Sequence, residues 1–199
     1  MENRIKVLFL LSNPKDTYRL RLDQEMRQIN EVIERGPARD SFQLIHHLAV
    51  RPSDLQRVLL KHQPDIVHFC GHATEADEIM LQDDRGHSQP VSKAALTGLF
   101  RLLKDNITVV LLNACYSQPQ AEAISASIDF TIGMKKAIGD RLSITFASSF
   151  YQGLAFGRSI ETSFELSKNE LELEGITGAD VPTLFVRPGA DATLPFVQK

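Results

Sequence analysis

Short apolar runs alternate along the chain with longer segments in which apolar residues recur every three or four positions. The first kind predicts strands, the second amphipathic helices. Ile5 to Leu11 reads as a first strand, ended by Ser12-Asn13-Pro14. Leu22, Met26, Ile29 and Ile33 then mark a helix that Gly36-Pro37 stops. Phe42, Leu44, His46 and Leu48 alternate with Gln43, Ile45 and His47, which predicts a second strand. Ser53, with Gln56 three residues on, has the pattern of a capping box opening a short helix that Pro64 closes. Ile66 to Cys70 makes the third strand.

A hairpin is expected next, Glu78 to Leu81 and Gln89 to Val91, turning near Asp84-Arg85-Gly86. Ser92 caps a helix carrying Leu96, Leu99, Phe100 and Leu103. Ile107 to Leu112 is uninterruptedly apolar, as a strand buried on both faces must be. A short helix over Gln118 to Ser125, a fifth strand over Ile128 to Gly133 and two helices near 140–156 and 159–174 follow. Thr183 to Val186 completes six strands. Repeated strand–helix–strand units imply a mostly parallel sheet covered by helices on both faces, an α/β domain. Residues 1–187 are expected to form that single domain, and 188–199 a polar tail suited to link a further module.

Composition narrows the partners. Lys plus Arg number 22 against 25 Asp plus Glu, a net charge of −3 without any basic segment, so direct nucleic-acid binding is not expected. No stretch approaches the roughly 20 apolar residues that span a bilayer, so no membrane is expected either. Met1-Glu2-Asn3-Arg4 leads straight into the first strand without a signal-peptide pattern. Cys70 and Cys115 lie at the ends of apolar runs, which argues for reduced thiols in a cytoplasm.

In an open parallel sheet, sites form at the carboxyl ends of strands. The third strand runs out through His68-Phe69-Cys70-Gly71-His72, and the fourth through Leu112-Asn113-Ala114-Cys115. Neighbouring strands lie about 4.8 Å apart, so adjacency would set His72 opposite Cys115. An imidazole beside a thiol favours the thiolate and can carry a proton to a leaving amine. Backbone N–H groups of Ala73 and Cys115 are placed to hold an acyl oxyanion.

His68-Phe69-Cys70-Gly71-His72-Ala73 resembles the His-Phe-Ser-Gly-His-Gly segment of CHAT domains, caspase-like cysteine peptidases of clan CD. Leu112-Asn113-Ala114-Cys115-Tyr116-Ser117 is similar to their nucleophile segment. Asn13-Pro14, Leu20-Arg21-Leu22, Pro64-Asp65-Ile66-Val67, Ile132-Gly133-Met134, Ala137-Ile138-Gly139-Asp140 and Phe150-Tyr151 with Gly157 extend the likeness from about Lys6 to Val186. The resemblance implies a caspase-like three-layer sandwich, its six-stranded sheet ordered 2-1-3-4-5-6, with a small hairpin after strand 3. It implies a cysteine endopeptidase with His72 as catalytic base and Cys115 as nucleophile. It also implies a protein or peptide substrate and a regulated effector role in bacterial defence or signalling. The chain has no obvious sensor, so a regulatory partner or fused module is expected. The sequence departs from the family's pattern twice. Ala73 replaces the usual Gly, which would cost about 1–2 kcal/mol if φ there is positive. Cys70 replaces the frequent Ser.

The Ala73 departure keeps open a catalytically weak or inactive binding and assembly module. A phosphate-binding protein is disfavoured, because Ser12-Asn13-Pro14-Lys15 follows the first strand where a glycine-rich loop would be needed. No metal or cofactor is expected. His68, Cys70, His72 and Cys115 nominally make a zinc set, but i, i+2 spacing in one strand holds ligands about 6.5–7 Å apart. His68 and Cys70 therefore read as core residues. Glu170, Glu172 and Glu174 read as a solvated face. Asp129 and Asp140 lie where a specificity pocket could form, though helix capping explains Asp140 equally well.

Overall fold

A computed structural model of the protein describes residues 4–76 and 78–197. β1 (Ile5–Leu11) pairs in parallel with β2 (Phe42–Leu48) on one side and β3 (Ile66–Cys70) on the other. β3 pairs with β7 (Val109–Asn113), and β7 with β8 (Phe130–Met134), also in parallel. β9 (Pro182–Val186) closes the edge antiparallel to β8. The sheet runs β2-β1-β3-β7-β8-β9, so its own strands stand in the order 2-1-3-4-5-6. All five residues of β3, of β7 and of β8 are buried, as central strands covered on both faces require.

Strand alternation divides the core into two layers. Val7, Phe9, Ile66, Val109 and Leu111 face α1 (Leu22–Arg35), α5 (Asp140–Ala155) and α6 (Ile160–Leu173). Leu8, Leu10, Val67, Val110 and Leu112 face α2 (Pro52–His62), α3 (Lys93–Leu102) and α4 (Gln118–Ile124). The expected hairpin is present as β5 (Glu78–Gln82) and β6 (Ser88–Ser92). A short strand not foreseen, β4 (His72–Thr74), pairs antiparallel with β5 and makes it a three-stranded sheet.

Helix α2 starts two residues earlier than its capping pattern suggests. Pro52 takes the first helical position, where its fixed φ is pre-organised, and Arg51 caps. The Arg51 N–H donates to the Asp54 carboxylate at 3.2 Å, so Ser53 lies inside the helix. Residues 188–197 fold back along α6: the Glu161 N–H donates to the Ala192 carbonyl at 3.0 Å, and Ala192 and Val197 are buried. Among the described residues, no helix is long and apolar enough to cross a membrane.

Candidate active site

β3 and β7 are hydrogen-bonded neighbours with Cys70 opposite Asn113, so the segments leaving their carboxyl ends emerge side by side. After Cys70 the chain must pass between Phe69 and the end of β1. A β-carbon at Gly71 would lie 2.7 Å from the Phe69 ring and 3.0 Å from the Ser12 carbonyl oxygen. Glycine alone allows that passage, and it delivers His72 to the start of β4. The His72 Nε2 sits 2.6 Å from the Tyr18 carbonyl oxygen. A carbonyl only accepts, so Nε2 carries the proton and Nδ1 is left with a lone pair. The loop that presents Tyr18 is itself braced: the Asn13 amide donates to the Leu20 carbonyl at 3.1 Å and accepts from the Leu20 N–H at 3.2 Å.

Cys115 stands on a tight turn after β7. Tyr116 adopts left-handed φ, 54°, a conformation that costs a non-glycine residue about 1 kcal/mol. Buried Ser117 holds the turn shut, donating from Oγ to the Leu112 carbonyl at 2.8 Å and accepting from the Met134 N–H at 3.0 Å. The half-buried Cys115 Sγ accepts from the Ile138 N–H at 3.3 Å and lies 3.7 Å from the Ile138 carbonyl. Among the described residues no hydrogen bond joins Sγ to His72. Both residues nevertheless line one cleft, with Leu20, Arg21, Ile138 and Asp140. The cleft encloses about 20 Å³, room for roughly one water. Arg21 and Asp140 reach across its mouth, 3.9 Å apart.

Ala73 adopts extended backbone within β4 and pairs with Ile79. Its β-carbon therefore carries no left-handed strain, and the penalty considered for it does not arise. Asp140 lies at the cleft but makes no side-chain cap on α5. Asp129 instead pairs with Arg187, 2.9 Å from its Nε. Glu174 meets Arg141 at 3.5 Å.

Beneath the cleft lies a buried polar cluster that sequence patterning only half revealed. Glu25 of α1 is 3% exposed, and its Oε1 accepts from the Asn113 amide at 2.6 Å and the Cys70 thiol at 3.4 Å. His68 is fully buried, with Nδ1 3.1 Å from the Tyr151 hydroxyl and Nε2 3.3 Å from Glu25 Oε1. Burial, and then the Glu25 charge, push the Cys70 thiol well above its ordinary pKa, so it stays a neutral donor. Burial likewise pushes the Tyr151 hydroxyl up. His68 and Cys70 thus turn into the cluster while His72 and Cys115 turn into the cleft. The missed residue is Glu25. Its signal was position: it falls three residues after Leu22 and four before Ile29, on the helix's apolar stripe.

The CHAT domain family matches residues 3–171. A probable protease from Gillisia limnaea is 27% identical over 153 residues, covering 76% of this chain and 27% of that protein. A Roc-COR-CHAT protease from an unknown prokaryotic organism is 24% identical over 162 residues, covering 78% of this chain and 15% of that protein. The chain therefore corresponds to only a small part of these relatives' length. Caspase-1 from Spodoptera frugiperda shares the fold at a TM-score of 0.63 and 10% identity, over 95% of this chain and 88% of that one. With His72 and Cys115 on its two central strand ends and a family match across most of its length, the chain belongs to the CHAT domain family and has a caspase-like fold.

Proposed function

We propose that this domain is a cysteine endopeptidase with His72 as base and Cys115 as nucleophile. The observation that carries the reading is the meeting of both side chains in one cleft at the ends of hydrogen-bonded β3 and β7. His72 spends Nε2–H on the Tyr18 carbonyl, which fixes the ring and leaves Nδ1 to take the thiol proton. The thiolate attacks the scissile carbonyl, and the backbone N–H groups of Ala73 and Cys115 receive the oxyanion. The imidazolium returns its proton to the leaving amine, and water then hydrolyses the thioester.

For that sequence the thiol must leave the Ile138 backbone and turn to His72, and the cleft must widen beyond a single water. Closure of this kind is what a regulated protease needs, since movement of the loop over 135–139 would both free Sγ and open the cleft. We assign the domain accordingly to a larger cytoplasmic effector in bacterial defence or signalling, released by a partner or fused module and acting on protein substrates. The relatives' much greater length and their protease names support this assignment. The same latched thiol also suits the second reading, an inactive assembly module.

The deciding experiment is covalent labelling by a peptide-type cysteine-protease inhibitor, read by intact mass and site mapping. Wild type should be modified at Cys115, and His72→Ala and Cys115→Ala should not be, with their folds intact. Equal labelling of His72→Ala would overturn the dyad, and a thiol that reacts no faster than a buried one would mean either the assembly module or a cleft still closed for want of its partner.

A further inference from the structure

The cluster beneath the cleft aims three different donor atoms at one point. Glu25 Oε1, His68 Nε2 and Cys70 Sγ all lie within 4.8 Å of one another, and all three residues are buried. We propose that Glu25, His68 and Cys70 form a binding site for a divalent transition-metal cation of the zinc type. This inference does not depend on the peptidase reading.

The separations from the carboxylate oxygen suit such an ion. Zinc binds sulfur at about 2.3 Å and nitrogen or oxygen at about 2.0 Å, so a tetrahedral site sets S and O about 3.5 Å apart and N and O about 3.3 Å apart. Here Sγ and Oε1 are 3.4 Å apart, and Nε2 and Oε1 3.3 Å. Mixed thiolate, imidazole and carboxylate donors favour zinc or its neighbours over calcium or magnesium. His68 Nε2 and Cys70 Sγ lie within 4.8 Å of one another, closer than the roughly 6.5–7 Å expected from their spacing along one strand.

A second observation points to a ligand. The His68 Nε2 is fully buried yet makes no hydrogen bond. Its Nδ1 pairs with the Tyr151 hydroxyl, the outer contact that fixes the ring of a metal-binding histidine and leaves the other nitrogen bare. The Glu25 carboxylate is oriented in the same way by the Asn113 amide. Glu25 and Asn113 also line the cleft, which gives the ion an entry path. The Asn113 Oδ1 has no partner of its own and can accept from a water in the fourth position. On binding, the Cys70 S–H bond breaks, its electron pair becomes the sulfur–metal bond and its proton leaves through the cleft. A dication then balances one thiolate and one carboxylate, and ties α1 to β3.

The test uses the full chain with Cys115→Ala, which removes the cleft thiol as a rival ligand. Cobalt(II) should bind one equivalent, both to folded protein and during refolding, with tetrahedral visible bands and a thiolate charge-transfer band. Zinc should displace it and raise the melting temperature. Adding Cys70→Ser should abolish the charge-transfer band, and adding Glu25→Gln should weaken zinc about tenfold or more. No charge-transfer band in the Cys115→Ala chain, or a band and affinity that survive Cys70→Ser and Glu25→Gln, overturns the site.

Discussion

An alanine at Gly133 would place its β-carbon 2.7 Å from the Ser117 carbonyl oxygen, 2.8 Å from the Ala121 β-carbon and 2.9 Å from the Gln118 α-carbon. None of these atoms is the free end of a flexible side chain, so β8 and the start of α4 must separate. Overpacking of this kind costs about 1–3 kcal/mol, and the rigidity of the neighbours puts Gly133→Ala near the upper end. With a urea dependence of about 2–3 kcal/mol/M, the unfolding midpoint should fall by about 1 M. The displaced segment carries Ser117, which holds the turn bearing Cys115, so inhibitor labelling at Cys115 should slow as well. The matched control is Gly98→Ala within α3, where an added β-carbon meets nothing within 4 Å. There the substitution should stabilise by about 0.5–1 kcal/mol, because alanine has less backbone freedom to lose in a helix. Urea unfolding of both variants decides the matter. A Gly133→Ala midpoint within 0.2 M (roughly 0.5 kcal/mol) of wild type would refute the close packing of β8 against α4. Equal effects at the two glycines would refute the argument from local space.

Ser117→Ala should destabilise by about 2 kcal/mol, since it leaves the buried Met134 N–H and Leu112 carbonyl without their shared partner; urea unfolding reads it, and a change under 0.5 kcal/mol (again roughly) counts against the tether. Asp54 accepts from Arg51 and Arg57 side chains and from the Arg51 N–H, and its Arg51 bond, followed by Arg57, holds its carboxyl far below the usual range. A depressed folded pKa stabilises above the unfolded value of about 3.9 and is lost as pH falls through the folded one. Asp54→Asn should therefore cost about 1–2 kcal/mol at neutral pH, allowing for the exposed guanidinium ends. The gap to wild type should close below about pH 4; a gap that stays constant into acid would refute the role of the charge.

Much of this fold could be read from the order of apolar residues, because the sheet's central strands must be buried on both faces. The apolar runs give β1 and β2 their observed bounds, and the adjacency that would set the ends of β3 and β7 opposite one another is present. What escaped was structure made by backbone. No side-chain pattern announces β4, because it begins just past the squeeze at Gly71 and is defined by pairing with β5. The Tyr18 carbonyl that engages His72 is invisible in the same way, since every residue type carries one.

Glu25 was hidden for a different reason. A carboxylate at a stripe position of an amphipathic helix is usually taken for an interruption, yet burying one unpaired costs far more than a helix would recover. Its presence on the stripe of α1 therefore demanded donors on the opposing strands, which Cys70 of β3 and Asn113 of β7 supply, while His68 turns toward the same layer. The same demand explains why the cluster lies directly under the cleft: only near the carboxyl ends of the strands does an apolar sheet give way to residues that can satisfy a charge. The floor of the cleft is set by that one acidic side chain. Replacing Glu25 should consequently disturb the His72 and Cys115 segments without touching either. Glu25→Leu, which keeps the volume but removes the Asn113 amide's 2.6 Å bond and leaves it only the 3.3 Å one to the Ser143 carbonyl, should alter Cys115 labelling more than Glu25→Gln does. Equal labelling of the two variants would show that the cluster and the cleft are independent.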